Sequence, residues 1–245
     1  MTLSLIIPVY NEEGSVLETV RAAYHALSDA LSSFEIIVVN DGSTDGTSMI
    51  LQRISLPNLH IVHHVKNRGN GAAIQTGLAQ AQGVIIATMD ADGTYNPEDI
   101  PKLLTSMNRQ RADMAVGVRQ GMENAKWSHR TARNVLRKIA ERECKTSIPD
   151  INSGLRLCKK DVMMRFQNLY PQRFSLHIAL TIAALKSGVP VIFEPITYGT
   201  RIGTSKLSAG GNGIANFFKF LWLILRISEK IENSRENTEK EAVGA

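Results

Sequence analysis

The chain has 245 residues, 43% of them hydrophobic and 21% charged, with a formal net charge of +5. That is enough for one large α/β domain with a full core, and it excludes a disordered or fibrous polypeptide. The basic excess suits an anionic ligand or an anionic membrane surface, whereas an aromatic content of 6% and no recognisable binding module speak against nucleic acid.

Met1–Tyr10 lacks the basic start of a signal peptide and runs straight into an apolar segment, Leu3–Val9, that reads as a strand. Asn11 is expected to cap the helix that follows, with Glu12 and Glu13 at its positive end. Val16, Leu17, Val20, Tyr24 and Leu27 then recur at helical spacing. Phe34–Asn40 is a second buried strand, and Asp41–Thr47 is a polar turn opening another helix. Leu59–Val65 is a more polar, edge-like strand, Asn67–Gly71 a turn, and Ala72–Ala81 a helix of small residues suited to close packing. Val84–Met89 is a further buried strand. Pro97-Glu98-Asp99 starts a helix, with proline at its first position. Met114–Val118 is a strand that ends at Arg119. The repeated β-α pattern implies a mostly parallel sheet flanked by helices.

The second half is less regular. Trp127–Arg142 is basic and helical in pattern, and Ser153–Cys158 has strand character. Leu176–Lys186 is an apolar helix, Val189–Ile196 a strand, and Gly199–Ser208 a glycine- and base-rich loop. Gly213–Ile231 carries an apolar stripe of Ile214, Phe217, Phe218, Leu221, Trp222 and Leu225. The expected division is a catalytic domain over 1–210, an amphipathic helix over 211–231 and a disordered polar tail over 232–245. Cys144 and Cys158 read as structural thiols in a reducing compartment. No stretch reaches the roughly 18 apolar residues of a membrane span. A cytoplasmic protein is expected, with any membrane contact peripheral.

Asp90-Ala91-Asp92 stands at the end of the Gly83–Met89 run, where open parallel sheets bind ligands. Two carboxylates one residue apart repel each other unless a divalent cation bridges them to a diphosphate. Tyr10-Asn11-Glu12 and Asn40-Asp41 end neighbouring strands at the same rim, as a nucleotide site requires. Neither a dinucleotide fingerprint nor a P-loop is present.

Pro8–Glu12, Asn40–Thr47 and Asp90–Asp92 together resemble the family 2 glycosyltransferases with the GT-A, Rossmann-like fold. Asn152–Arg156 and Arg201–Lys206 are similar to the polyprenyl-phosphate branch, that of dolichyl-phosphate mannosyltransferase, and the likeness runs from about Leu3 to Leu207. The resemblance implies an inverting transfer of mannose, glucose or a hexosamine from a GDP- or UDP-linked donor to polyprenyl phosphate. It implies that Pro8, Tyr10, Glu12 and Asp41 line the nucleoside pocket. Asp90, Ala91 and Asp92 would hold the diphosphate, the two acids through Mg2+ or Mn2+. Asp92, Arg119, Arg156, Arg201 and Lys206 would be the catalytic set, the basic residues ringing the reacting phosphates. The branch often has glutamine two residues after the second acid. Here the residue is Thr94, a poorer metal ligand.

A hydroxyl acceptor needs a general base, whereas a lipid phosphate is already an anion. Phe174–Leu180, where hydroxyl-glycosylating relatives carry an acid, has no carboxylate. His177 is either a base for a soluble hydroxyl acceptor or a helical histidine with a structural bond. The alternatives to lipid transfer are therefore a soluble hydroxyl acceptor and a nucleotide-sugar-binding scaffold. His60, His63 and His64 read as a solvated edge. The basic helix and the Gly213–Ile231 stripe each face either the domain or a membrane surface.

Overall fold

The computed structural model describes residues 2–120, 127–173, 176–200 and 213–243, with side chains except at 127–133, 213–216 and 235–243. The strands are β1 (Leu3–Val9), β2 (Phe34–Asn40), β3 (Leu59–His63), β4 (Ile85–Thr88), β5 (Met114–Arg119), β6 (Arg156–Lys159) and β7 (Val191–Ile196). The helices are α1 (Val16–Ala30), α2 (Thr47–Gln52), α3 (Asn70–Gln80), α4 (Asp99–Arg109), α5 (Trp127–Cys144), α6 (Lys160–Arg165), α7 (Leu176–Lys186) and α8 (Gly213–Val243).

The strands form one sheet in the order β3-β2-β1-β4-β6-β5-β7. Every residue of β1, β2 and β4 is buried, because helices cover both faces. Alternate side chains divide the core. Ile6, Ile37, Ile86, Val116 and Cys158 meet residues of α3, α5, α7 and α8. Leu5, Ile7, Val38, Ala87 and Leu157 meet residues of α1, α2 and α4. Burial pushes the Cys144 thiol up to about 11 and raises that of Cys158, consistent with inert core thiols.

The sheet is parallel except for β6, which is antiparallel to β4 and β5. This reversal matters for the site. A reversed strand begins at the rim where its neighbours end, so the residues just before Arg156 arrive beside the end of β4. The register places Arg156 opposite Thr88.

Three local expectations are corrected. α1 starts at Val16, and Asn11 does not cap it. Asn11 adopts a left-handed φ of 52°, which asparagine tolerates. Its carboxamide instead accepts the Thr44 N–H at 2.8 Å and donates to Thr44 Oγ1 at 3.2 Å, lacing two rim loops together. α8 does not stop at Ile231 and give way to a disordered tail; it continues to Val243. Glu232–Val243 contains no glycine or proline and is rich in good helix formers, and Lys186 of α7 donates a hydrogen bond to Glu232. Finally, the row of α8 buried in the domain is Leu223, Ile224, Ile227 and Ile231. Phe218, Trp222 and Leu225 of the expected stripe are exposed. No described helix is long and apolar enough to cross a membrane.

Candidate active site

Chain order reverses between β1 and β4, the place where open α/β sheets form their ligand crevice. Pairing between the two strands ends at Ile6 and Thr88. The Ile6 carbonyl accepts the Met89 N–H at 3.2 Å, so even-numbered residues of β1 turn their main chain toward β4. Pro8 is the next such residue, beyond the last pair, where its missing N–H breaks no ladder bond. Tyr10 is half-buried at the mouth, and Glu12 is buried with its N–H donated to Thr47 Oγ1 at 2.9 Å.

The acid turn follows β4. Asp90 is half-buried and Asp92 is 6% exposed. Gly93 takes a φ of +76°, which brings the chain back on itself. Asp92 Oδ1 then accepts the Thr94 N–H at 3.1 Å and the Thr94 hydroxyl at 2.6 Å. The Thr94 hydroxyl therefore orients Asp92, a different job from the ligand position anticipated from its place in the chain. Ala91 is likewise internal. It is 2% exposed, and its carbonyl accepts Ser15 Oγ at 2.8 Å and Thr19 Oγ1 at 3.3 Å, both from the start of α1. The bonds to its carbonyl fix Ala91 between its two flanking carboxylates.

The segment before β6 stands against Asp90. A Cβ on Gly154 would lie 2.4 Å from Asp90 Oδ2, so only glycine fits without displacing that carboxylate. The Gly154 N–H donates to Tyr95 Oη at 2.7 Å, and its carbonyl accepts Thr88 Oγ1 at 2.8 Å. Burial and the nearby Asp90 charge raise the Tyr95 phenol, which stays neutral. Tyr95 packs edge-on against Tyr198 with ring centroids 5.2 Å apart. The Gly199 N–H donates to the Thr94 carbonyl at 2.8 Å, and that of Thr197 to Asp99 Oδ2 at 3.1 Å. The chain leading to residue 200 is thereby tied to the acid turn. Arg201 and Lys206 lie outside the described residues.

Arg119 and Arg156 differ. Arg119, at the end of β5, donates through Nε to Asp150 Oδ2 at 2.7 Å and through Nη2 to Asp150 Oδ1 at 2.9 Å. Its guanidinium carbon lies 5.4 Å from the Tyr198 ring centroid. Burial alone would lower its pKa, but the Asp150 hydrogen bonds and charge outweigh that and hold it raised. Asp150 is a site residue that sequence reasoning missed; the only signal was an acid shortly before Asn152-Ser153-Gly154. Arg156 does not join a ring of rim cations. It is 1% exposed, opposite Thr88 on the α7 side of the sheet. It donates to the Ser153 carbonyl at 2.6 and 3.2 Å, to the His177 carbonyl at 2.9 Å and to Thr181 Oγ1 at 3.0 Å. Burial lowers its pKa to about 10. Arg156 is a positioning residue that braces the Gly154 segment against α7.

Asp41 is also internal. Its Oδ1 accepts His64 Nδ1 at 2.6 Å and the Arg68 N–H at 2.9 Å, and its Oδ2 accepts the Gly69 N–H at 2.7 Å. It secures the loop entering α3. His64 therefore does not belong to a solvated edge: its side chain is 6% exposed, and Nε2 lies 3.0 Å from Thr76 Oγ1. His177 is buried with Nε2 3.4 Å from Thr88 Oγ1. Burial, then the charges of Arg156 and Arg119, hold its pKa well below the ordinary value.

Among the described residues no group of three or more His, Cys, Asp and Glu side chains converges on a metal position. Two neighbouring carboxylates do suit Mg2+ or Mn2+ of the kind bound by one or two acids plus substrate phosphates and water. The absent side chain of Gly154 leaves the Asp90 carboxylate its room at the rim.

The profile of Glycosyl transferase family 2 matches residues 4–166. The chain is 32% identical over 231 residues to Polyprenol monophosphomannose synthase of Mycolicibacterium smegmatis, across 88% of this chain and 84% of that one. Among solved structures it is similar to glucosyl-3-phosphoglycerate synthase from Mycobacterium tuberculosis in complex with Mn2+, uridine-diphosphate and phosphoglyceric acid. That likeness has a TM-score of 0.73 at 17% identity, over 93% of this chain and 78% of that chain. The same enzyme in complex with Mg2+ and uridine-diphosphate gives 0.72 at 18%, over 93% and 79%. At such identities the structural likeness speaks for the fold alone.

Proposed function

The chain belongs to glycosyl transferase family 2, and on that premise we propose that it transfers a sugar, with inversion, from a nucleoside diphosphate to polyprenyl phosphate. In this reading it meets the lipid at the cytosolic face of a membrane as a peripheral protein. The relative named for monophosphomannose favours mannose as the sugar.

The observation that carries the reading is the lack, among the described residues, of a usable base beside the acid turn. A hydroxyl acceptor must lose a proton. His177 is poorly suited to take one, because burial and two nearby arginines oppose a charged imidazole. Phe174–Leu180 offers no carboxylate. A phosphate monoester brings its own anion. Its oxygen attacks the anomeric carbon, the bond from that carbon to the diphosphate oxygen breaks, and the electron pair leaves with the nucleoside diphosphate. No proton has to move.

Asp90 and Asp92 are the residues that would hold Mg2+ or Mn2+, which when bound stabilises the departing diphosphate. Thr94 and the Ala91 carbonyl keep those carboxylates aimed. Arg119, locked at one edge by Asp150, presents a fixed positive charge to a phosphate. Arg156 holds the Gly154 segment in place, and Arg201 and Lys206 supply further positive charge around the phosphates. Pro8, Tyr10 and Glu12 line the nucleoside side, with Asp41 setting the loop behind it.

The test is transfer from labelled GDP- and UDP-sugars to a short-chain polyprenyl phosphate with Mg2+ or Mn2+, with Asp92→Ala in parallel. Lipid-linked product from one donor, lost in the variant, is the expected result. Donor binding with no product on any phosphorylated lipid would overturn the reading in favour of a hydroxyl acceptor or a scaffold.

A further inference from the structure

α8 has two apolar faces, and the domain uses only one of them. Leu223, Ile224, Ile227 and Ile231 are buried in the core shared with α5 and α7. Phe218, Trp222 and Leu225 are 60%, 58% and 45% exposed. At about 100° per residue these three fall within roughly 60° of one another, on the side of the helix opposite Ile227. Isolated exposed apolar residues need no explanation, but two aromatics and a leucine in one line form a patch.

Charge identifies the occupant. Lys219, Arg226 and Lys230 are exposed along one flank of that line. The Arg226 guanidinium lies over the Trp222 ring, 4.7 Å from its centroid. An aromatic row with cations at its edge matches a bilayer interface, where rings sit at headgroup level and cations meet anionic phosphates. A second copy of the chain fits less well. Three side chains of about 150–250 Å2 or less, roughly half exposed, offer on the order of 300 Å2, well short of the ~800 Å2 per partner of a stable protein interface.

Lys186, in the last turn of α7, is hydrogen-bonded to Glu232 of α8, and Leu223, Ile224, Ile227 and Ile231 share one core with α7. α8 is thereby anchored on the domain through the helix that carries His177.

We infer that the amino-terminal half of α8 docks on an anionic bilayer through Phe218, Trp222 and Leu225, with Lys219, Arg226 and Lys230 at the phosphates. The inference rests on and deepens the proposed acceptor reading, because it brings the chain to the layer in which a lipid phosphate lies.

The experiment is co-sedimentation of the full chain with phosphatidylcholine vesicles, with and without phosphatidylglycerol, in the absence of donor and acceptor. The wild type is expected to bind the phosphatidylglycerol vesicles. The triple variant Phe218→Ser, Trp222→Ser, Leu225→Ser is expected to bind at least tenfold more weakly, with an unchanged melting temperature. Lys219→Gln, Arg226→Gln, Lys230→Gln is expected to lose the preference for anionic vesicles. No wild-type binding, or equal binding by the apolar variant, overturns the inference. So does a wild-type dimer that the apolar variant turns into a monomer without any vesicle binding. Transfer to a short-chain, water-soluble polyprenyl phosphate is expected to be the same in wild type and apolar variant. If that transfer is absent from both while vesicle binding behaves as described, the acceptor reading fails and the docking face stands.

Discussion

The two sides of the crevice are built by different means. On one side β1, β2 and β4 end together, and the acid turn is held by short bonds: Thr94 to Asp92, and α1 hydroxyls to the Ala91 carbonyl. On the other side β5 ends and β6 begins, and each arginine is fixed by acceptors that the reversed strand brings beside it. Arg119 is held by Asp150, and Arg156 reaches α7. The first side depends on parallel strands that end together and on the helix that follows β1. The second depends on the reversed strand, so residues of one type acquire opposite roles: Arg119 is a charge beside the site, and Arg156 is a brace behind it.

That contrast is breakable, and the largest effect is expected where the two sides touch. Gly154→Ala puts a methyl group 2.4 Å from Asp90 Oδ2. The carboxylate can swing aside, so the protein should stay folded while transfer falls by about a hundredfold, the scale on which fixed electrostatic groups act. Equal activity of the variant, assayed beside an unchanged melting temperature, would show that the Gly154 contact is incidental.

The arginines should separate stability from rate. Arg156→Met leaves the Ser153 carbonyl without its buried donor, while the His177 carbonyl keeps Thr181 Oγ1, costing about 2 kcal/mol at roughly 1–3 kcal/mol per unsatisfied group. Urea unfolding measures this directly. Arg119→Lys keeps the charge but loses the fork that Asp150 grips. It should lower kcat about tenfold with a smaller change in unfolding midpoint. The reverse pattern would exchange the two roles.

Thr94→Val removes one hydrogen bond to Asp92 while keeping shape. A loss of about tenfold in metal affinity or kcat, restored by Thr94→Ser, is expected for a residue that orients a ligand. No change would mean that the Thr94 hydroxyl does not orient Asp92.

The smallest effect is on pH. His177 is held well below its ordinary pKa, first by burial and then by Arg156 and Arg119. Below about pH 6.5 the unfolded chain takes up a proton that the folded chain refuses. Stability attributable to this group is therefore complete above that pH and falls as pH drops, by about 1.4 kcal/mol per unit until the folded pKa is reached. His177→Gln should flatten that limb of an unfolding-midpoint curve between pH 7.5 and 5.5. An unchanged limb would assign it elsewhere.

The same contrast governs what could be read from the residues. Asp90 and Asp92 were legible because they are one residue apart at the end of an apolar run. The places of Pro8, Tyr10 and Glu12 at the end of β1 were legible for the same local reason. Asp150 was not, because its partner Arg119 lies across a crossover that no local pattern encodes. Arg156 looks like any other arginine until the register opposite Thr88 turns it inward. His64 resembled an edge residue because its partner Asp41 is on the neighbouring strand's end, where the Asn40–His63 register delivers it. α8 is apolar on two faces, and periodicity alone does not tell which one the domain takes.

The central claim is that the acceptor brings its own negative charge. The direct measurement offers the wild type and His177→Gln a short-chain polyprenyl phosphate and the corresponding polyprenol, with the same labelled donor. The account predicts transfer to the phosphate alone, retained within about tenfold in the variant because no base is required. Transfer to the alcohol that disappears in His177→Gln would contradict it.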